Sequence, residues 1–469
     1  MGTDQPSTTT TSRAAETSSW TDMRPYAGAT VVLAGGILLT AINIYLTTSL
    51  LPSAVADIGG RSYYAWVTTA YMIASVVSAM LVSQALGRYG ARRAYVIAFG
   101  TFVAGSLLAA VTPAMGVLLV GRVIQGLGGG VLSGLAFATI RTALPARLWA
   151  QGTAVVSAMF AIGTLVGPAL GGAFAQFGSW RLAFGSVALL GVVLGALAPR
   201  VLPATGEVDH VESVPYPSLA LLSAAAAAIS IGSIVSGVVP VAAALGCAAI
   251  LLLGFVAWER RAPTTVLPKP TYDGGSALRW VYLSIGLTTA AVATEAFTPL
   301  FGQRLIGLGP LVAGFLGATI SGGWSLAGLG SVRAGTRRAQ RRLRIVGPAV
   351  LAGGLLVAAA LQTEPSNGWL VLGWAIALVI AGSGIGLAFP HMSVAAMSSS
   401  DDEQQAAKAA AGVPMVGLIS QSMVVAIGGV LVSVTSPSVA DAARSIFSAI
   451  ALLALLGLLC SARALRAES

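Results

Sequence analysis

Residues 163–172 read GTLVGPALGG, with four glycines and a proline inside an otherwise apolar stretch, 151–175, long enough to form one helix. In water such a helix would be unstable, because glycine costs about 1 kcal/mol relative to alanine and proline about 3 kcal/mol. In a bilayer the same residues have a use. Gly163, Gly167 and Gly171 recur at every fourth position and line one helix face with small groups, against which a second helix can pack closely. Pro168 cannot donate to the carbonyl of Thr164, and neighbouring helices supply the support that water would not.

The rest of the chain favours the bilayer. It has 469 residues, 56% of them hydrophobic and only 9% charged, whereas soluble domains carry roughly a quarter charged residues. Apolar runs of about 20 residues, each enough to cross a hydrocarbon core, recur along its length. Fourteen are read, near 30–51, 65–86, 93–112, 116–138, 151–175, 181–199, 217–237, 240–257, 280–301, 309–331, 345–361, 369–392, 410–433 and 442–463. The expectation is an all-α integral membrane protein. A Ser/Thr-rich segment, 1–27, reads as a disordered tail. A six-helix bundle follows over 28–201, then two bland spacer helices with their loops over 202–279. A second six-helix bundle occupies 280–463, and 464–469 form a short tail. Paired bundles of this kind suit a transporter whose substrate site lies between them near the midplane.

Charge sets the expected orientation. Of the 26 Lys and Arg residues, 21 fall in the tails and the alternate loops on the side of the termini, and Arg122 lies within a span. The other side holds four: Arg61, Arg181, Arg304 and Arg444. The positive-inside rule therefore places both termini in the cytoplasm. This asymmetry accounts for the net charge of +10 without a nucleic-acid partner. The densest run, RAGTRRAQRRLR (333–344), reads as a topology anchor that could also meet anionic lipid.

Enzyme chemistry finds no footing. There is no phosphate loop, no nucleophile elbow and no zinc-type histidine motif. Cys247 and Cys460 lie in different spans, and His210 and His391 have no ligand-spaced partner, so neither a metal, a cofactor nor a disulfide is expected. Within GLGGGVLSG (126–134), Gly126, Gly130 and Gly134 form another small-residue face.

Charges inside spans are expensive and mark functional candidates. Counted along their helices, Arg122 and Glu295 lie about 9 Å below the outer surface, and Asn43 and Tyr71 about 12 Å below it. One outer-half layer thus collects an arginine, a glutamate, an amide and a phenol. With Gln125 and Trp324 these residues form the candidate substrate cavity, and Trp66, Phe297, Trp374 and Gln421 are further polar or aromatic groups that could line it.

The string at Gly163, Gly167, Pro168, Gly171 and Gly172 resembles the antiporter signature of the major facilitator superfamily. GRVIQGLGGG (121–130), with Arg122, Gln125 and Gly126, resembles a second family pattern. SQALGRYGARR (83–93) resembles the cytoplasmic-loop motif and keeps Arg88, Gly90, Arg92 and Arg93. LLPSAVADIGG (50–60) and SWRLAF (179–184) are also similar to family stretches. The fourteen-helix layout narrows the likeness to the drug:proton antiporters. That likeness implies export of amphipathic small molecules in exchange for protons, by a monomer in the cytoplasmic membrane. It assigns Arg88, Gly90, Arg92, Arg93 and the glycine–proline string to conformational change. Two positions depart from the family pattern: Gly87 and Asn43 stand where aspartates are expected. An amide cannot carry a proton, so proton coupling is expected to rest on Glu295, with Arg122 tuning it or holding an anionic substrate. A dedicated exporter of one metabolite or lipid, or a non-transporting receptor, would share the same layout.

Overall fold

The computed structural model describes residues 20–145, 148–202, 215–273, 275–331, 334, 336–363, 368–399, 403–435 and 438–468. Most of the 1–27 tail, His210 and part of the 333–344 run lie outside the described residues. The first bundle consists of α1 (Ala27–Ile58), α2 (Tyr64–Ala79), α3 (Val82–Ala110), α4 (Met115–Ala138), the single turn α5 (Ile140–Ala143), α6 (Trp149–Phe177) and α7 (Trp180–Val201). A hairpin of α8 (Tyr216–Ile231) and α9 (Val238–Glu259) follows. The second bundle contains α10 (Ala277–Thr289), α11 (Thr298–Leu305), α12 (Pro310–Ser331), α13 (Arg337–Ala360), α14 (Trp369–Met397), α15 (Glu403–Val434) and α16 (Val439–Ala467).

Among the described residues twelve helices are long and apolar enough to cross a membrane. The expected count was fourteen. The runs expected at 65–86 and 217–237 appear as α2 and α8, of 16 residues each. Each spans about 24 Å, short of a hydrocarbon core of about 30 Å. The first is cut by a turn at Met80–Leu81, the second by turns that follow Ile231. The tails also differ from expectation. Trp20–Tyr26 form a 3-10 helix with Met23 buried, and α16 runs to Ala467, where Glu468 takes a bidentate hydrogen bond from Arg344.

Small residues explain the packing. An added Cβ at Gly163, Gly167 or Gly171 would lie 2.4, 2.6 or 2.4 Å from atoms of Ala41, Tyr45 or Leu46, so all three glycines face α1. On α4, Gly126 and Gly130 are pressed in the same way against the backbone of Tyr71 and Ser75 on α2. The bundles meet along two seams, α1 and α6 against α12, and α2 against α15. The α8–α9 hairpin flanks the second seam. α8 packs on α2 and α15, Trp66 donates to the Ser230 carbonyl, and α9 buries only Ala248 and Glu259. α9 therefore presents most of its apolar surface to lipid.

The start of α1 and the end of α16 lie at one end of the bundle. α1 and α12 run antiparallel, since Ser49 pairs with Pro310 and Tyr45 with Ser321. The last residue of α12 and the start of α13 therefore share an end with the start of α1. The Arg344–Glu468 pair brings the end of α16 there too. We call this the basic end. At the opposite end the two family-like stretches meet: Asp57 accepts from Arg181 at 2.5 Å and from the Trp180 indole at 3.0 Å, while Arg181 also donates to Thr112 O.

Candidate functional site

Two buried polar networks occupy the level that residue counting singles out. The first belongs to the first bundle. Arg122, 1% exposed, donates to Val67 O at 3.0 Å, to Gln125 Oε1 at 2.8 Å and to Asn43 Oδ1 at 3.3 Å. Its guanidinium lies 4.3 Å from the centre of the Tyr71 ring. Gln125 in turn donates to Asn43 Oδ1 at 3.2 Å and to Ser106 Oγ at 2.7 Å. Among the described residues every acceptor around this cation is neutral. The fork of the guanidinium suits this arrangement, because one planar group reaches α2, α4 and α1 together.

The second network crosses between the bundles. Glu295, 4% exposed, sits in a 3-10 segment, Ala290–Ala296, that interrupts the span between α10 and α11. Pro299, at the start of α11, has no N–H to continue the helical ladder back to Glu295, so a regular helix is interrupted at this point. Glu295 Oε1 accepts from the Ser321 backbone N–H at 3.2 Å. The Ser321 hydroxyl pairs with the Tyr45 hydroxyl at 2.9 Å, and Tyr45 belongs to α1. One step along α1, the Ser49 hydroxyl bridges to Pro310 O at 3.1 Å and Pro168 O at 3.4 Å. α1, α6 and α12 are thus joined beside the carboxyl. Tyr45 and Ser321 were missed by residue counting.

Asn43, Tyr71, Arg122 and Gln125 come together as the sequence suggests. Glu295 does not join them: the partners of Arg122 all belong to its own bundle, and those of Glu295 are hydroxyls and an amide. The expected tuning of Glu295 by Arg122 has no contact behind it. Trp324 packs edge-on against Phe389, ring centres 5.1 Å apart, and Trp374 is buried with its indole donating to Leu361 O. Both serve the interior of the second bundle. Phe297 stacks between Tyr64 and Phe301 at the seam. Among the loop residues, Gly90 adopts φ +69°, a left-handed turn that favours glycine, where the chain reverses inside α3. Arg92 donates to Pro199 O and so ties the turn to α7 of the same bundle, while Arg88 is exposed over Tyr89.

Two helical bundles that meet along α1, α6 and α12 and along α2 and α15, with buried polar networks within and between them, have the architecture of a membrane transporter. The sequence matches the Major Facilitator Superfamily over residues 33–421, and the chain belongs to that family. It is 41% identical over 462 residues to a probable multidrug-efflux transporter of Mycobacterium tuberculosis, covering 97% of this chain and 98% of that one. Solved structures share the fold. A POT family transporter solved in meso matches with a TM-score of 0.69 at 15% identity, covering 96% of this chain and 98% of that one. A bacterial homologue of the human lysosomal transporter Spinster, inward-facing and unoccupied, matches at 0.67 with 14% identity, covering 95% and 98%. At such identities these two likenesses speak for the fold alone.

Proposed function

We propose that this transporter exports amphipathic organic compounds, drugs among them, across the plasma membrane in exchange for protons. The named function of the mycobacterial relative supports the cargo class. The observation that carries the mechanism is the place of Glu295. Among the described residues only Glu259 and Glu295 are buried carboxyls, and Glu295 alone lies where α1 meets α12. A carboxyl there can take a proton in one state of the carrier and surrender it in another, which the amide of Asn43 cannot. Ionised, Glu295 only accepts hydrogen bonds; protonated, it also donates. The Tyr45–Ser321 pair stands next to it, so a change of protonation alters the contact that holds the bundles together. Alternating access by rocking the bundles about this seam follows from that link. Arg122, fixed among neutral acceptors, offers a cation to the polar part of a substrate.

The same reading retains fourteen crossings, with α2 and α8 completed by their flanking turns, and a monomer with both termini in the cytoplasm, as the charge bias supports. The test is substrate flux and proton movement recorded together in proteoliposomes. Glu295→Gln keeps shape and hydrogen bonding while removing titration. It should abolish uphill export driven by a pH gradient and spare downhill exchange. A Gln variant that still concentrates substrate with undiminished proton movement would overturn the assignment.

A further inference from the structure

A cavity of about 440 Å³ opens on the lipid-facing side of the second bundle, between α9, α10 and α15. Its body is apolar, formed by residues such as Phe255, Leu283, Leu287, Ile419, Met423 and Ile427. Along α10 it reaches from Arg279 to Ala290, about 16 Å of helix rise. That is close to half of a hydrocarbon core of about 30 Å, which makes it one leaflet deep. At its basic end the lining changes character, and Arg260 and Arg279 close it. Among the described residues neither arginine is in an ion pair.

The walls of this end are built rather than loose. Glu259 is 1% exposed and accepts from the Val266 N–H at 2.9 Å and from the hydroxyls of Ser218 and Tyr272. Burial, reinforced by the Glu259 carboxyl, pushes the Tyr272 phenol well above its ordinary pKa and keeps it a neutral donor. The clasp fixes Val266 and Tyr272, which line the cavity. The surrounding loop carries Arg260, Arg261, Lys269 and Arg279 against Glu259 and Asp273, and the acceptor oxygens of Glu259 are already engaged.

We infer that this cavity holds one anionic phospholipid, with its phosphate between Arg260 and Arg279 and an acyl chain along α10 and α15. Charge complementarity selects this occupant. Among the described residues neither guanidinium has an acidic partner, Arg279 lying over the Trp280 ring; at a membrane surface the pair attracts phosphate and repels a cationic amphiphile, and the apolar body is one leaflet long. The inference is independent of proton coupling and of the substrate exported.

The test uses the purified full-length protein in detergent, with bound lipid counted by native mass spectrometry. Phosphatidylglycerol and phosphatidylcholine of identical chains are added separately. At least a tenfold preference for one phosphatidylglycerol is expected. The double variant Arg260→Gln/Arg279→Gln should lose that preference, Arg260→Lys/Arg279→Lys should keep most of it, and Arg337→Gln/Arg338→Gln on the other basic face should leave it intact. Equal binding of the two lipids would overturn the inference. So would a preference untouched by the Gln pair, or displacement of the lipid by glycerol phosphate alone, which would mark a headgroup-only anion site. Displacement by an exported amphiphile would make the cavity a substrate entrance and equally refute it.

Discussion

Replacing Gly171 by alanine adds one methyl group at the tightest part of the seam between α1 and α6. The new Cβ would stand 2.4 Å from the Leu46 carbonyl oxygen and 2.8 Å from the Leu46 Cα. Ordinary contact begins near 3.4 Å, so the helices must separate by about 1 Å, and neither neighbour is a side chain that can rotate away. Overpacking of this kind costs roughly 1–3 kcal/mol. Alanine recovers up to about 1 kcal/mol through its better helix propensity. The net expectation is destabilisation of about 1–2 kcal/mol by these opposing effects. The displacement also reaches the bundle interface, because the next residue, Gly172, abuts the Leu311 backbone of α12. Gly185→Ala on α7 is the control, since nothing lies within 4 Å of its added Cβ. Thermal unfolding of the purified protein, with flux in proteoliposomes, measures both effects. If Gly171→Ala matches Gly185→Ala in stability and transport, close backbone contact is not what these glycines provide.

Arg122→Lys keeps the charge but loses the fork that reaches Val67, Asn43 and Gln125 together; losing one such charge-assisted bond should lower stability by about 1.5–3 kcal/mol, read by thermal unfolding, and flux should fall with it. Asn43→Asp places a carboxylate where an amide oxygen now meets Arg122 at 3.3 Å; pairing there should raise the melting temperature, whereas a fall would show that the neutral network is optimal as built. With Cys247 and Cys460 replaced by serine, Arg338→Cys, exposed at the start of α13, should resist impermeant thiol reagents applied to intact cells and react after permeabilisation; efficient labelling from outside would invert the proposed orientation.

How much of this was legible in the sequence depends on which coordinate a residue pattern encodes. Four-residue glycine spacing states which face of a helix is smooth, and the faces of α4 and α6 pack as that spacing implies. Counting residues from a helix end gives depth, and depth put Asn43, Tyr71, Arg122 and Glu295 in one layer. It gives no direction around the bundle axis. Glu295 sits on another seam, and spans apolar on every side carry no stripe to reveal it. Tyr45 and Ser321 are 276 positions apart, so only tertiary packing could pair them. The break at Ala290–Ala296 did have a signal, Pro299, obscured by the apolar run that continues through it. The short helices α2 and α8 show the converse limit. Hydropathy counts apolar residues whether or not the backbone stays helical, so it reads straight through the turns that divide these two runs.

The two networks divide the work of a carrier between the bundles. Arg122 is held by acceptors that cannot ionise in the working range, and its hydrogen bonds reach three helices of one rigid body. Such a group keeps its charge and position through a cycle. Glu295 has the opposite setting: a helix interrupted around it, a partner from its own bundle in Ser321, and through that serine a link to Tyr45 in the other. A group whose hydrogen bonds span two moving bodies cannot keep them all when those bodies rock. If protonation drives the motion, the responsive element must therefore lie on the seam. Removing the Tyr45 hydroxyl separates this account from simple packing. Tyr45→Phe leaves the Phe160 ring contact intact and removes the hydroxyl that bonds Ser321 and the Glu295 carboxyl, each bond having a net worth of about 1 kcal/mol. Stability should fall modestly. The cycle should change more, because one state loses a contact that the other does not make: at a fixed pH gradient, substrate exported per proton should fall. Equal slippage in the wild type and Tyr45→Phe would place the coupling elsewhere on the seam.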